Sequence, residues 1–204
     1  MTLIKIFLNN FKYYGILNYI KIILSEIFYQ VLFLRFSDFK TKTKFKYFNN
    51  KYNSINIPTP YYFLKLVDLA IKNEKKDIFI DFGCGNGRVL NFFSNKYSSL
   101  LGFDINLKYL KIKNKKKIVV KKIDLRKISK LKKQLIHLIS KSKILYFYDP
   151  FDEQLTKKII ERFSTNGDLI ILINLNIKMK KKYKTIYKKQ FFNKKRNIRI
   201  LRRN

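Results

Sequence analysis

Apolar and polar positions follow two different rhythms along the chain, and the change of rhythm divides it. Over residues 1 to about 36, Leu17, Ile20, Leu24, Ile27, Phe28 and Val31 recur at three- and four-residue steps, which predicts one or two helices with a wide apolar face. Residues 37–57, SDFKTKTKFKYFNNKYNSINI, are polar, rich in Lys and Asn and weakly periodic, the pattern of a connecting segment. From residue 58 onward, short apolar runs alternate with amphipathic ones. The division reads as an N-terminal helical extension and linker over 1–57 and one domain over 58–204.

Within that domain PTPYYFLKLVDLAIKN opens a helix, with Thr59 placed to cap it and Pro60 at the first helical position. Five apolar runs, DIFIDF, SLLGFDIN, IVVKKIDL, KILYFYDPF and DLIILINLN, have the length and β-branched content of strands. Between them NGRVLNFFSNKY, LKYLKIKNKKK, ISKLKKQLIHLISKS and DEQLTKKIIERFS read as helices. Strands alternating with helices predict a parallel sheet with crossover helices. YKTIYKKQFF and NIRILRR, joined by NKKR, break the alternation and read as an antiparallel hairpin at the sheet edge. The expected fold is therefore α/β, a doubly wound, seven-stranded, mostly parallel sheet of Rossmann-like type.

Composition bounds this picture from outside. At 204 residues with 47% hydrophobic content the chain can bury a core. The formal charge of +33 suggests an acidic partner, nucleic acid or an anionic membrane surface. Only eight of the 46 basic residues are Arg, however, and abundant Lys, Ile, Asn, Phe and Tyr with a single Ala is how an AT-rich genome spells proteins. A solvated, compositionally biased surface is the competing explanation. One cysteine, Cys84, excludes an internal disulfide and a multi-cysteine zinc site; no metal is expected, and the cytoplasm is the default compartment. Lys5, Lys12, Lys21, Glu26 and Arg35 interrupt the apolar N-terminus, so no transmembrane helix is expected, and no signal peptide pattern is present. The N-terminal helices either pack on the domain as a lid or brace, or lie on a membrane surface.

Against this background IFIDFGCGNGRVL stands out, because half of the six glycines, Gly83, Gly85 and Gly87, fall here at alternating positions. Glycines after a buried strand allow a sharp turn into a helix and a close approach of ligand to backbone. The dinucleotide fingerprint needs a third glycine where Arg88 stands, so that ligand class does not fit. The segment Asp81-Phe82-Gly83-Cys84-Gly85-Asn86-Gly87 resembles instead the first motif, acidic-x-G-x-G-x-G, of the class I S-adenosylmethionine-dependent methyltransferases.

That resemblance implies a cofactor site made of Asp81, Phe82, Gly83, Cys84, Gly85 and Gly87, with turn amides offered to the ligand's carboxylate and Asp81 facing its cationic groups. It further implies Asp104, ending the second strand, at the ribose hydroxyls, and Asp124, ending the third, at the adenine amino group between Ile105 and Leu125. At the fourth strand Asp149-Pro150-Phe151 resembles the family's acidic-or-Asn, Pro, aromatic motif. The chain is also similar, over most of its length, to a group of small bacterial members of unassigned substrate, through INIPTPYYF, GCGNGR and YDPFDE. It departs from that group in carrying Asp149 where Asn is usual.

Asp149, Pro150, Phe151 and Glu153 are the implied acceptor or catalytic residues, with Asp152, and with Tyr61 or Tyr62 as walls. Since sulfonium methyl transfer is an in-line displacement, positioning matters more than a base. His137, on a helix remote from that edge, and Cys84, without a partner base, are not expected to act chemically. The implied function is a methyltransferase using S-adenosylmethionine on a small molecule, a lipid-linked group or a protein side chain. RNA as acceptor, contacted through the Lys-rich surface, and a non-catalytic binding module are the alternatives.

Overall fold

The computed structural model describes residues 12–32, 58–108, 110–127, 141–148, 153–193 and 195–204. The predicted linker over 37–57, the helix carrying His137, and Asp149, Pro150, Phe151 and Asp152 lie outside the described residues. The elements are α1 (Ile16–Leu32), α2 (Tyr61–Ala70), β1 (Ile78–Phe82), α3 (Arg88–Phe93), β2 (Ser99–Asp104), β3 (Ile118–Lys122), β4 (Lys143–Tyr148), α4 (Glu153–Phe163), β5 (Leu169–Ile173), β6 (Tyr183–Gln190) and β7 (Asn197–Arg203).

The strands form one sheet in the order β3-β2-β1-β4-β5-β7-β6. β1 to β5 pair in parallel, while β7 runs against both β5 and β6. This is the doubly wound, Rossmann-like sheet with a C-terminal antiparallel hairpin that the alternation of runs predicts. β1 and β5 are buried at every residue, as strands covered on both faces must be. One face packs Phe79, Tyr146, Ile171 and Ile200 under α1, α2 and α3; the other packs Phe82, Phe147 and Leu172 against Ile159, Ile160 and Phe163 of α4. Aromatic stacking links neighbouring elements on both sides, Phe79 with Phe93 at 4.7 Å and Phe82 with Phe147 at 4.8 Å. The edge strands β3 and β6 carry Lys121, Lys122, Lys184, Lys188 and Lys189, and charge on an edge discourages pairing with another chain.

Three predicted boundaries fail. LKYLKIKNKKK forms no helix among its described residues. The segment has no acid to offset its lysines at helical spacing, and Asn91 of α3 captures its backbone instead. The Asn91 amide donates to Lys111 O at 2.7 Å and accepts from Lys113 N–H at 2.8 Å, so this connection runs as a strap over α3. β3 ends at Lys122, leaving Asp124 beyond the strand rather than at its end. Thr59 does not cap α2, whose first residue has a different partner described below.

Candidate active site

β1 delivers the chain to the carboxyl edge of the sheet, where Gly83, Gly85 and Gly87 all take left-handed conformations, with φ of 82°, 51° and 78°. Any other L-residue is strained at such angles, which accounts for the alternating glycines. Gly87 is also sterically confined, since a Cβ there would stand 2.6 Å from Ile112 Cδ1 on the strap. The turn holds itself together. Gly83 and Cys84 N–H donate to Phe103 O at 2.7 and 3.1 Å, and Gly87 N–H donates to Cys84 O at 2.8 Å. Gly85 N–H donates to Asp104 Oδ2 at 2.8 Å, and Arg88 N–H to Asn86 Oδ1 at 3.0 Å. The turn amides expected to face a ligand carboxylate are, for these five residues, satisfied within the protein.

Asp81 is the exception to this self-sufficiency. Its side chain is 2% exposed, and Oδ2 is buried with no hydrogen-bond partner. Burial, and secondarily the negative charge of Asp104, hold its carboxyl well above the usual carboxylate range. Asp81 lies level with Tyr146 of β4, whose hydroxyl donates to Thr59 Oγ1 at 3.1 Å. An acid left without a partner at the carboxyl edge, beside a glycine turn, has the capacity to pair with a cation or to accept a hydrogen bond.

The other predicted residues distribute unevenly around it. Asp104 ends β2 and accepts from both Gly85 and Asn106 N–H, each at 2.8 Å. Asp124 is forked by Arg126, Nε at 2.8 Å and Nη2 at 2.7 Å, and those bonds hold its carboxyl below the usual range. Ile105 is exposed, whereas Leu125 is buried in the core on the α4 side. Cys84 is buried, and burial and the two nearby aspartates push its thiol up, so it is a poor nucleophile. Glu153 starts α4 and accepts Asn176 N–H at 3.2 Å, tying α4 to the exit of β5. Tyr61 is sealed in the core against Tyr29, while Tyr62 is half-buried with its hydroxyl 3.4 Å from Asn18 Oδ1. Among the described residues no cluster of His, Cys, Asp or Glu could hold a metal.

Two features escaped the reading of the sequence. Glu26 of α1 accepts Tyr61 N–H at 2.8 Å, capping α2, and pairs with Arg88 Nη1 at 2.8 Å. Arg88 is buried, lies 4.6 Å over the Tyr61 ring and also reaches Thr59 O at 3.3 Å. The N-terminal helix is thus fastened to the first residue of α3, immediately after the glycine turn. The signal was present: Glu26 is the only acid over residues 12–32. Gly102 is the second omission. A Cβ there would stand 2.7 Å from Leu90 Cδ1 and 2.8 Å from Cys84 Sγ, so β2 needs glycine for the turn to pack on it.

No protein-family model matches the chain, and no curated protein is similar to it in sequence. Solved structures resemble it in shape at low identity. The apo form of CmcI is 15% identical over 54% of this chain, with a TM-score of 0.44, and the match spans only 50% of CmcI. The methyltransferase domain of bacterial CtHen1 is 14% identical, covering 68% of this chain and 96% of that one, with a TM-score of 0.49. The N-methyltransferase NodS from Bradyrhizobium japonicum, in complex with S-adenosyl-L-homocysteine, is 9% identical over 68% and 84%, with a TM-score of 0.45.

Proposed function

We propose that the chain is an S-adenosylmethionine-dependent methyltransferase. The observation that carries this reading is Asp81: a buried carboxylate with an unpartnered oxygen, at the carboxyl edge of the sheet, beside three left-handed glycines. Open parallel sheets bind ligands at that edge. The ammonium of an adenosylmethionine is a fitting partner for the acid, because a cation restores the charged form that burial disfavours. Gly83 and Gly85 leave the backbone bare for the amino-acid portion, and Asp104, at the end of the neighbouring strand β2, is assigned to the ribose hydroxyls. When bound, this group supplies an electrophilic methyl on sulfonium.

The protein's own contribution is positional. Asp149, Pro150 and Phe151 follow directly on β4, beside β1, and are the proposed acceptor contacts; Asp149 would hold the acceptor's hydrogen or cationic group. Glu153 is a weaker candidate, because its carboxylate is engaged with Asn176. Asp124 would offer the adenine amino group the acceptor capacity on Oδ2 that its bonds from Arg126 leave over. Lysines lie along both edges of the sheet, β3 and β6, which suits a solvated surface better than a single nucleic-acid face. A small molecule, a lipid-linked group or a protein side chain is the preferred acceptor class.

Calorimetric titration with S-adenosylhomocysteine is the test. Binding by the native chain, weakened about ten- to a hundredfold in Asp81→Asn, is expected from loss of one charge-assisted contact. No binding by the native chain sinks the assignment. Labelled methyl transfer into fractionated lysate then sorts the acceptor, and label in RNA would overturn the ranking above.

A further inference from the structure

α1 is apolar on both sides, yet among the described residues only one side packs against the rest of the protein. Its inward face places Ile22 in the core, Tyr29 on Tyr61 at 4.8 Å and Glu26 on Arg88. On the opposite face Leu17, Ile20, Leu24, Phe28 and Val31 form one stripe at helical spacing, and all are exposed, Leu17 to 70% and Phe28 to 60%. The stripe runs about 21 Å along the helix. A second element lies beside the start of the helix: in the β6–β7 turn Phe192 is 79% exposed, and a Cβ on Gly15 would sit 3.5 Å from Phe192 Cβ. That turn is tied to the start of the helix by Asn193 N–H donating to Tyr13 O at 2.9 Å, and by Arg196 lying 5.0 Å over the Tyr13 ring.

We propose that this face, α1 together with the β6–β7 turn, docks on an anionic lipid bilayer. Charge selects the occupant. Lys12 and Lys21, on the segment that carries the stripe, and Lys195 on the turn are exposed, and the only acid over residues 12–32, Glu26, is paired with Arg88 on the inward side. A second copy of a chain with net charge +33 would set like charges against each other across the contact. Nucleic acid would meet the lysines but gain nothing from the stripe. An anionic bilayer takes both, with apolar side chains below the headgroups and cations among them. Among the described residues no helix is long and apolar enough to cross a membrane, so α1 lies in the plane of the surface. The proposal stands independently of the methyl-transfer reading.

The test is co-sedimentation of the full chain with vesicles of equal parts phosphatidylcholine and phosphatidylglycerol, and with phosphatidylcholine alone. Partitioning onto the mixed vesicles is expected to exceed that onto neutral ones by about tenfold or more, and to weaken as salt is raised. The triple variant Leu17→Asp, Leu24→Asp, Phe28→Asp is expected to lose about a hundredfold or more of that partitioning while keeping its unfolding midpoint, because all three side chains are solvent-facing. Failure of the native chain to bind the mixed vesicles overturns the proposal. So does undiminished binding by the triple variant, or a lipid-free dimer of the native chain that the same substitutions dissolve.

Discussion

Asp81 carries the most consequence of any single residue in this structure. Its folded carboxyl is held above its unfolded value, so the protonated acid contributes stability fully at low pH, and that contribution is lost as pH rises through the folded value. Asp81→Asn abolishes this dependence. The variant is expected to unfold at a higher temperature than the native, ligand-free chain, by a margin that widens from acid to neutral pH, in calorimetric scans across that range. A stability gain paired with loss of adenosylhomocysteine binding would identify the residue as one kept for function. Gly87→Ala is the contrasting case. A left-handed φ and the approach of Ile112 together should destabilise by about 2–4 kcal/mol in urea unfolding. The need for glycine at 87 was legible in the spacing of the motif; the need at Gly102 was not, because the atoms it makes room for come from Cys84 and Leu90, far off in the chain.

Among the elements, α1 decides how the turn region is held. Glu26 serves two positions at once, the first amide of α2 and the guanidinium that opens α3. Removing it takes the counter-charge from Arg88, which is 5% exposed, and Glu26→Ala is expected to lower stability by about 2–3 kcal/mol. A double-mutant cycle with Arg88→Met should return a coupling of about 1–3 kcal/mol. Additivity of the two substitutions would show that the pair does not couple α1 to the turn. The apolar periodicity of α1 was readable in the sequence, but the choice between lid, brace and surface helix was not. Periodicity reports that a face is apolar, not which of two apolar faces finds a partner. The strap after β2 shows the reverse limit: its leucine and lysine spacing suits a helix, yet side-chain bonds from Asn91 outcompete helical ones in a segment with no favourable charge pairs.

At the scale of the whole molecule, the described lysines lie along both sheet edges and on the connections rather than on one element. Self-repulsion of a +33 chain is screened by salt. The unfolding midpoint is therefore expected to rise by a few degrees, about 2–6 °C, between low and physiological ionic strength; a midpoint that falls with salt would mean that attractive ion pairs dominate. The buried pair of Lys143 and Asp168, Nζ to Oδ2 at 2.9 Å, joins the amino ends of β4 and β5 at the edge opposite the glycine turn. Asp168→Asn removes the carboxylate counter-charge from the buried Lys143 ammonium and should destabilise by about 3–5 kcal/mol in urea unfolding, with no change in adenosylhomocysteine affinity.

The sequence by itself determined the strands, their parallel alternation, the terminal hairpin and the place of the glycine turn, because buried strands and left-handed turns restrict which residues can occupy them. Only the tertiary structure decided which polar groups were left without partners. Five amides of the turn region are satisfied internally, Asp124 is engaged by Arg126, and Asp81 alone of the three predicted acids is buried with an unpartnered oxygen. It also decided that Glu26 turns inward to Arg88 while the stripe from Leu17 to Val31 turns out. Some of these partners are local, as Arg126 is to Asp124, but Glu26 and Arg88 stand 62 residues apart, and no local pattern encodes which face of a helix or which acid finds its partner.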